Sequence, residues 1–310
     1  MINNKVFDEI LVCLFDGEYH LGFAAFANSL AKANFKGLIH VGYRQTLPAW
    51  VSQLEKLDGN YFLLTKEIYI QFQWIDPDMH LGYFKPYFIK QTFDTFKTCQ
   101  KFYYFDVDIL VIAPWHLFSS WLDKGICVCL DVSFPIVHRN HPWRKEWKRL
   151  MPEIQKSSCS IDYYFNSGFL GIERESFHLI NKWICFTKKY AETGGNLHHF
   201  EKDAYRSFKG DQDLLNAAIT VSPEIEISVW GLEGMGFNSP ATIMLHAIDE
   251  TKPWNKKFVR FLFQYGQKPS RVEKIFLDYC KYPINVFSRN KLYLRRLDLK
   301  IASFFGRLIG

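Results

Sequence analysis

The chain has no long apolar segment, no zinc-binding cysteine pattern and no repeated or low-complexity stretch. No apolar run reaches the roughly 18 residues that a membrane-spanning helix needs. Asp8 and Glu9 interrupt the first apolar residues too early for a signal peptide. The seven cysteines are scattered, often inside apolar runs, which is typical of reduced thiols in a reducing compartment. We therefore expect a soluble, cytoplasmic protein.

The net charge of +6 belongs to the carboxyl-terminal end of the chain. Residues 271–310 contain nine Lys and Arg residues against three Asp and Glu residues, so that residues 1–270 sum to zero. Because no basic groove is predicted elsewhere, a nucleic-acid partner is not expected.

Residues 291–309 have the pattern of a basic amphipathic helix. Arg296, Lys300 and Arg307 cluster opposite an apolar stripe of Leu294, Leu297, Ile301, Phe304, Phe305 and Leu308. Two interpretations remain open: the helix packs on the body, or residues 289–310 bind reversibly to an anionic membrane surface.

The order of apolar and polar segments predicts an α/β fold. Strands are predicted over 9–15, 38–42, 101–105 and 125–131, and helices over 23–33, 82–98 and 211–218. The polar, basic residues 138–158 are predicted to be a surface excursion. With a soft boundary near 255–270, we expect one domain over residues 1–260 and a basic helical extension over 261–310.

One pair of carboxylates ends a hydrophobic strand. The run 101–105 leads directly into Asp106-Val107-Asp108, and the carboxyl ends of strands are where open α/β sheets bind ligands. In an extended segment both side chains project to the same face, where they repel each other unless a cation lies between them. Oxygen ligands suit Mg²⁺ or Mn²⁺. The same spacing recurs at Asp76/Asp78 and Asp211/Asp213, but Pro77 indicates a loop for the former.

Further segments complete a pattern around this pair. They are Lys85, Asn166-Ser167-Gly168, Asp211-Gln212-Asp213 with Asn216, and His246 followed by Lys252-Pro253-Trp254. In this order and spacing, roughly residues 9–254 resemble the family 8 retaining glycosyltransferases, which include glycogenin and bacterial lipopolysaccharide galactosyltransferases. The resemblance implies a GT-A (nucleotide-diphospho-sugar transferase) fold, which is Rossmann-like with a mixed central sheet.

The resemblance also implies a metal site and a donor. Asp106, Asp108 and His246 would bind Mn²⁺ or Mg²⁺, and the imidazole favours Mn²⁺. Lys252 would contact the diphosphate of the donor, a usual task for lysine, and Lys85 matches a second basic position. Asp16 and Tyr19 match positions that hold the nucleobase, which implies a UDP-sugar.

The residues expected around the donor sugar are Asp131, Asn166, Ser167, Asp211 and Gln212. In the family, the side chain at the Gln212 position lies near the β face of the sugar. An amide is a poor nucleophile, which favours front-side transfer with retention. Asp213 is the alternative nucleophile if it points inward. Gln212, Asp213 and Asp211 are therefore the catalytic candidates.

The predicted function is transfer of a hexose from a UDP-sugar to a glycan or lipid-linked acceptor, of surface-polysaccharide or lipopolysaccharide type, at the inner membrane face. One departure weighs against it: Asp249, followed by Glu250, replaces a glycine usual beside the diphosphate. A non-catalytic glycan-binding scaffold is therefore an alternative, although all three candidate metal ligands are retained. A metal-dependent nucleotidyltransferase is less favoured because Asp16-Gly17-Glu18-Tyr19 is acidic and lacks a Gly-rich phosphate loop.

Overall fold

A computed structural model describes residues 5–150, 160–200 and 207–308. Its strands are β1 (Glu9–Phe15), β2 (Gly37–Tyr43), β3 (Glu55–Lys56), β4 (Tyr61–Thr65), β5 (Ile68–Trp74), β6 (Lys101–Phe105), β7 (Ile109–Val111), β8 (Ile126–Cys129), β9 (Phe169–Glu173), β10 (Ile227–Trp230) and β11 (Met244–His246). Its α-helices are α1 (Tyr19–Lys32), α2 (Leu81–Thr95), α3 (His116–Leu122), α4 (Pro142–Leu150), α5 (His178–Glu192), α6 (Asp211–Thr220), α7 (Phe258–Tyr265), α8 (Arg271–Phe276) and α9 (Arg289–Leu308).

Within these residues the main sheet has nine strands in the order β10-β8-β9-β6-β1-β2-β5-β4-β3. Strands β6, β1, β2 and β5 are parallel neighbours, whereas β9 is antiparallel between β6 and β8. Alternate residues of β1 enter two hydrophobic cores, Leu11 and Cys13 on one face and Ile10 and Val12 on the other. Both faces of the sheet are therefore covered, as expected for a parallel α/β sheet.

The segment Asp106–Asp108 marks the point where the chain leaves the main sheet. Strand β6 ends at Phe105, and the backbone N–H of Ile109 donates to the carbonyl of Asp106 over 3.1 Å. The chain then enters β7, which pairs antiparallel with β11. In this pairing Ile109 lies opposite His246. The two carboxylates lie on a turn rather than on the extended segment that we predicted, and it is the β7–β11 pairing that brings His246 beside them.

The predicted strands and helices are otherwise confirmed, with shifts at their ends. Helix α1 begins four residues earlier than predicted, at Tyr19, because Gly17 turns the chain with φ +52° directly after β1. Asp76 and Asp78 lie in a loop, as Pro77 indicated. Six described cysteines are free thiols, five of them buried, and Cys159 lies outside the described residues.

The prediction of a surface excursion over 138–158 was wrong for residues 142–150, which form α4; residues 151–159 lie outside the described part. Trp147 and Arg144 of this helix are buried. The Arg144 guanidinium donates to the carbonyls of Val137 and Tyr163 and to the Thr220 hydroxyl. The basic, polar composition of α4 did not reveal that one of its faces is buried, because the charge of Arg144 is satisfied by hydrogen bonds inside the protein.

The carboxyl-terminal segment packs against α1 of the main body. Phe276, Ile284, Leu292 and Ala302 belong to the same hydrophobic core as the buried face of α1. The Asn28 amide in α1 donates to the carbonyls of Tyr279 and Ile284 and accepts from the N–H of Ile284. One buried side chain therefore fixes the backbone of this segment in three hydrogen bonds.

Helix α9 packs through a different face from the stripe that the sequence singled out. Leu292, Ala302 and Gly306 are buried, and the Asp298 carboxylate accepts from the N–H groups that begin α7. The six stripe residues remain 38–68% exposed. The described residues contain no helix that is both long and apolar enough to cross a bilayer.

Replacing Asn28 with Ala is expected to destabilise the protein by roughly 3 kcal/mol, since three buried backbone groups lose their partner. Urea unfolding measures the change. Asn290→Ala, on the exposed first turn of α9, is the matched control and is expected to change the free energy of unfolding by less than about 0.5 kcal/mol. A loss below about 1 kcal/mol for Asn28→Ala would mean that these bonds do not hold the segment.

Candidate active site

A cavity of about 320 Å³ opens at the carboxyl ends of β1, β2 and β6. Asp16, Arg44 and Asp106 follow these three strands directly and line it. Of the predicted site residues, the cavity wall also contains Tyr19, Lys85, Asp108, Asn166, Ser167, Asp211, Gln212 and His246. The position agrees with the rule that open α/β sheets bind ligands at their carboxyl edge.

Asp106, Asp108 and His246 form a three-ligand cluster. One ligand atom from each lies within 4.8 Å of the others. His246 Nε2 is 3.2 Å from Asp108 Oδ1, and its Nδ1 is buried without a hydrogen-bond partner among the described residues. Two carboxylates and an imidazole on converging atoms are a donor set that suits Mn²⁺ or Mg²⁺.

Lys252 neutralises Asp108 from outside the cavity lining. Its Nζ is 2.9 Å from Asp108 Oδ2 and donates to the carbonyl of Ala247 over 2.7 Å. Burial alone raises the pKa of Asp108, but His246 and Lys252 outweigh burial and hold that pKa well below its usual range. Asp108 is therefore an anion, as a metal ligand must be.

Lys85 performs the same task for the other carboxylates. Its buried Nζ lies 3.0 Å from Asp106 Oδ1 and 2.8 Å from Asp211 Oδ2. Burial lowers the pKa of this amine, but the two carboxylates overcome it and raise the pKa above its ordinary value. Lys85 lies inside α2, and its side chain is 7% exposed.

The loop 166–168 lies against the metal cluster. A Cβ at Gly168 would meet His246 Cε1 at 2.7 Å and Asp106 Oδ2 at 3.1 Å, so only glycine fits there. The amide of Asn166 accepts from the N–H of Gly168 and donates to Asp131 Oδ2 over 3.0 Å. Asp131 thus lies behind Asn166 and does not line the cavity.

The first three side chains of α6 do not all face the cavity. Asp211 accepts from the Ser167 hydroxyl over 2.8 Å, and the Gln212 side-chain carbonyl accepts from the N–H of Ser167 over 3.1 Å. Both face the cavity. Asp213 is absent from its lining and accepts instead from the Tyr164 hydroxyl and the N–H of Lys209. Asp213 is therefore buried and does not line the cavity, whereas Gln212 does.

Arg44 and His80 line the cavity but were missed by sequence reasoning. Arg44 Nη2 donates to the carbonyls of Pro77 and Met79, and Nη1 lies 3.8 Å from Asp16 Oδ2. Arg44 follows β2 as Asp16 follows β1, so the strand-end rule would have found it. His80 caps α2 by accepting from the N–H of Gly82 over 3.1 Å, and no sequence motif indicated it.

The described site carries an excess of one negative charge. Asp106, Asp108 and Asp211 contribute three negative charges, and Lys85 and Lys252 contribute two positive charges. Asp16 and Arg44 cancel each other. A divalent cation would change the sum from −1 to +1, which would attract an anionic ligand.

The described residues have the fold of a GT-A glycosyltransferase. A structure of an active-site mutant of LgtC covers 91% of this chain and 98% of that chain, at 15% identity and a TM-score of 0.53. A structure of LgtC, a galactosyltransferase, with donor and acceptor sugar analogues is similar too, with a TM-score of 0.51. The predicted fold class is thus confirmed.

Two larger glycosyltransferases have the same fold. The bifunctional WbbM has a TM-score of 0.56 at 15% identity, over 94% of this chain and 52% of that chain. GlyE of Streptococcus pneumoniae has a TM-score of 0.50 at 16% identity, over 92% of this chain and 62% of that chain. This chain therefore spans about half of WbbM and less than two thirds of GlyE. No protein-family profile and no curated protein sequence matches it.

Asp213 gives a pH prediction. Burial raises its pKa to about 6, although hydrogen bonds from Tyr164 and Lys209 oppose the shift. A raised pKa means that the native state binds the proton more tightly than the unfolded state. This stabilisation is complete below about pH 4 and is lost as pH rises through about 6.

Asp213→Asn, which is neutral throughout, is expected to remove this dependence. Between pH 4 and 7 the free energy of unfolding of the wild type should fall by roughly 3 kcal/mol relative to that of the variant. Chemical denaturation at each pH measures the difference, and parallel stability curves for the two proteins would contradict the assignment.

Proposed function

We propose that this protein is a retaining, metal-dependent hexosyltransferase of the family 8 type. It would move a hexose from a UDP-sugar to a glycan or lipid-linked acceptor, as in surface polysaccharide or lipopolysaccharide synthesis. The observation that carries the proposal is the cluster of Asp106, Asp108 and His246 at the carboxyl edge of a glycosyltransferase sheet. The positive charges of Lys85 and Lys252, which lie beside the carboxylates, support the proposal.

The residues present fit a divalent cation. Asp106, Asp108 and His246 would hold it, and when bound it would neutralise charge on the departing diphosphate. Lys252 lies against Asp108 and, once the cation satisfies that carboxylate, would contact a diphosphate oxygen. Manganese is preferred over magnesium because one ligand is an imidazole.

Different lining residues of the cavity suit the two parts of a nucleotide sugar. Asp16 and the half-exposed ring of Tyr19 would bind the uracil, by hydrogen bonding and stacking. Asn166, Ser167 and Asp211 would bind hydroxyl groups of the hexose, with Asp131 and Lys85 holding Asn166 and Asp211 in position. Fixed polar partners of this kind discriminate strongly between sugar epimers.

The side chain beside the sugar favours front-side transfer with retention over a covalent intermediate. Gln212 is fixed by its bond to the Ser167 N–H, and its amide is a poor nucleophile. The bond between the anomeric carbon and the diphosphate oxygen breaks while a bond to the acceptor oxygen forms on the same face. The acceptor proton passes to the departing diphosphate oxygen.

Helix α9 would bind the protein to the inner face of the cytoplasmic membrane. Its exposed stripe includes Leu297, Phe304 and Phe305, and the Phe263 ring of α7 lies 5.8 Å from Phe305. Lys300 and Arg307 of the same helix are exposed as well. An amphipathic helix that exposes both apolar and basic residues fits an anionic lipid surface, to which each basic residue contributes about 1 kcal/mol.

Mn²⁺ with UDP is expected to raise the melting temperature of the wild type, since a ligand at 100 times its Kd stabilises by about 2.7 kcal/mol. Asp108→Asn is expected to lose this shift and the hydrolysis of UDP-hexoses. Thermal unfolding with and without Mn²⁺ and UDP measures the change.

Asp78→Asn is the matched control, because Asp78 has the same Asp-x-Asp spacing in an exposed loop. It should keep the full shift. Absence of any Mn²⁺-dependent UDP shift in the wild type would reject the proposed function, and an unchanged shift in Asp108→Asn would reject the metal site.

Leu297→Asp should weaken binding to vesicles containing phosphatidylglycerol at least tenfold, because a charge enters the apolar face that contacts lipid. Vesicle co-sedimentation at low and high salt measures it. Leu47→Asp is a matched control, since Leu47 is 42% exposed and Leu297 is 41% exposed. Equal binding by both variants would contradict membrane contact through α9.

A further inference from the structure

A second cavity shares a wall with the donor cavity. It has a volume of about 170 Å³, and His246 lines both. The ring of Phe237 lies 6.0 Å from the His246 ring on this side. Ser270, Val272 and Glu273, at the start of α8, line this cavity as well. The carboxyl-terminal segment thus forms part of a cavity next to the candidate metal ligands.

Asp249 lies in this second cavity and not in the first. Its side chain is 61% exposed, and its Oδ2 is 3.7 Å from Lys256 Nζ. The carboxylate that departs from the family pattern therefore faces away from the expected diphosphate position.

A buried ion pair holds the wall of the second cavity in place. Lys256 is 3% exposed, and its Nζ is 2.6 Å from Glu273 Oε1. Glu273 also accepts from the N–H of Ser270 and completes the capping box of α8. Removing either partner would leave a buried charge unpaired, so this pair fixes α8 relative to Asp249.

We propose that the second cavity binds the acceptor, and that the acceptor is a neutral, hydroxyl-rich sugar rather than a phosphorylated or carboxylated one. This inference rests on the proposed function. A transferase must hold the acceptor hydroxyl against the bond that breaks, and a cavity sharing His246 with the donor cavity is placed to do so.

The chemistry of the walls determines the class of acceptor. Val132, Phe237 and Val272 offer apolar surface for the C–H face of a sugar ring. The Asp249 carboxylate accepts hydrogen bonds from hydroxyl groups. Asp249, Glu273 and Lys256 together carry one net negative charge, which repels an anionic acceptor.

The test compares donor hydrolysis with transfer. UDP release from the best-hydrolysed UDP-hexose is measured with Mn²⁺ alone and with methyl glycosides, glucuronic acid or glucose 6-phosphate as acceptors. Neutral glycosides should raise UDP release at least fivefold, and the anionic sugars should not. Binding of the same glycosides to the protein with Mn²⁺ and UDP is measured by saturation-transfer NMR.

Two variants change different residues of the cavity lining. Asp249→Ala should raise the KM for a neutral glycoside at least tenfold, and Val272→Trp, which fills the cavity, should abolish transfer. Both should keep acceptor-free hydrolysis within twofold of the wild type. Glu250→Ala is the matched control, since Glu250 is exposed and lines neither cavity, and it should transfer normally.

The outcomes separate the two proposals. If both variants transfer with an unchanged acceptor KM, or if only anionic sugars bind, the acceptor cavity is rejected while the glycosyltransferase stands. If no neutral glycoside binds or is glycosylated, the assignment also fails. If the wild type neither binds UDP with Mn²⁺ nor hydrolyses any UDP-hexose, both the proposed function and this inference are rejected.

Discussion

The candidate site depends on keeping three carboxylates together at the edge of one sheet. Asp106, Asp108 and Asp211 would repel one another if they were unpaired in this half-enclosed place, yet each lies within 3.0 Å of a lysine amine. Lys85 spans two of them and Lys252 holds the third. The cost of burying these lysines is offset by the carboxylates, and the cost of burying the carboxylates is offset by the lysines. The cluster is thus preorganised and carries one net negative charge, which favours the binding of a cation.

The rest of the fold brings distant parts of the chain to this edge. The β7–β11 pairing places His246 opposite the turn that carries the two aspartates, and the loop 166–168 approaches so closely that residue 168 must be glycine. The carboxyl-terminal segment is fixed to the body by Asn28 and by the Lys256–Glu273 pair. Because that segment lines the second cavity, its packing affects the proposed acceptor site as well as the stability of the protein.

The elements that could be predicted from the sequence were β1, β2, β6, β8, α1, α2, α6 and α9, since buried strands and amphipathic helices carry local patterns. The turn at Asp106–Asp108 and the early start of α1 could not, because both follow from how the chain leaves one strand for the next element. Helix α4 was missed since the buried Arg144 has partners outside the helix, among them the distant Thr220. Arg44 was missed although the strand-end rule applies to it, and His80 belongs to no motif.

The sequence by itself determined the α/β class, the carboxylate pair at a strand end and the joint order of the site residues, since each is written in local spacing. Only the tertiary structure decided which of these residues face one cavity. It turned Asp213 away from the first cavity and toward Tyr164, set Asp131 behind Asn166 and pointed Asp249 into a second cavity. It also left the stripe of α9 exposed while burying another face of the same helix. The reason is physical: spacing fixes the identity and order of side chains, but their direction depends on partners that only packing supplies.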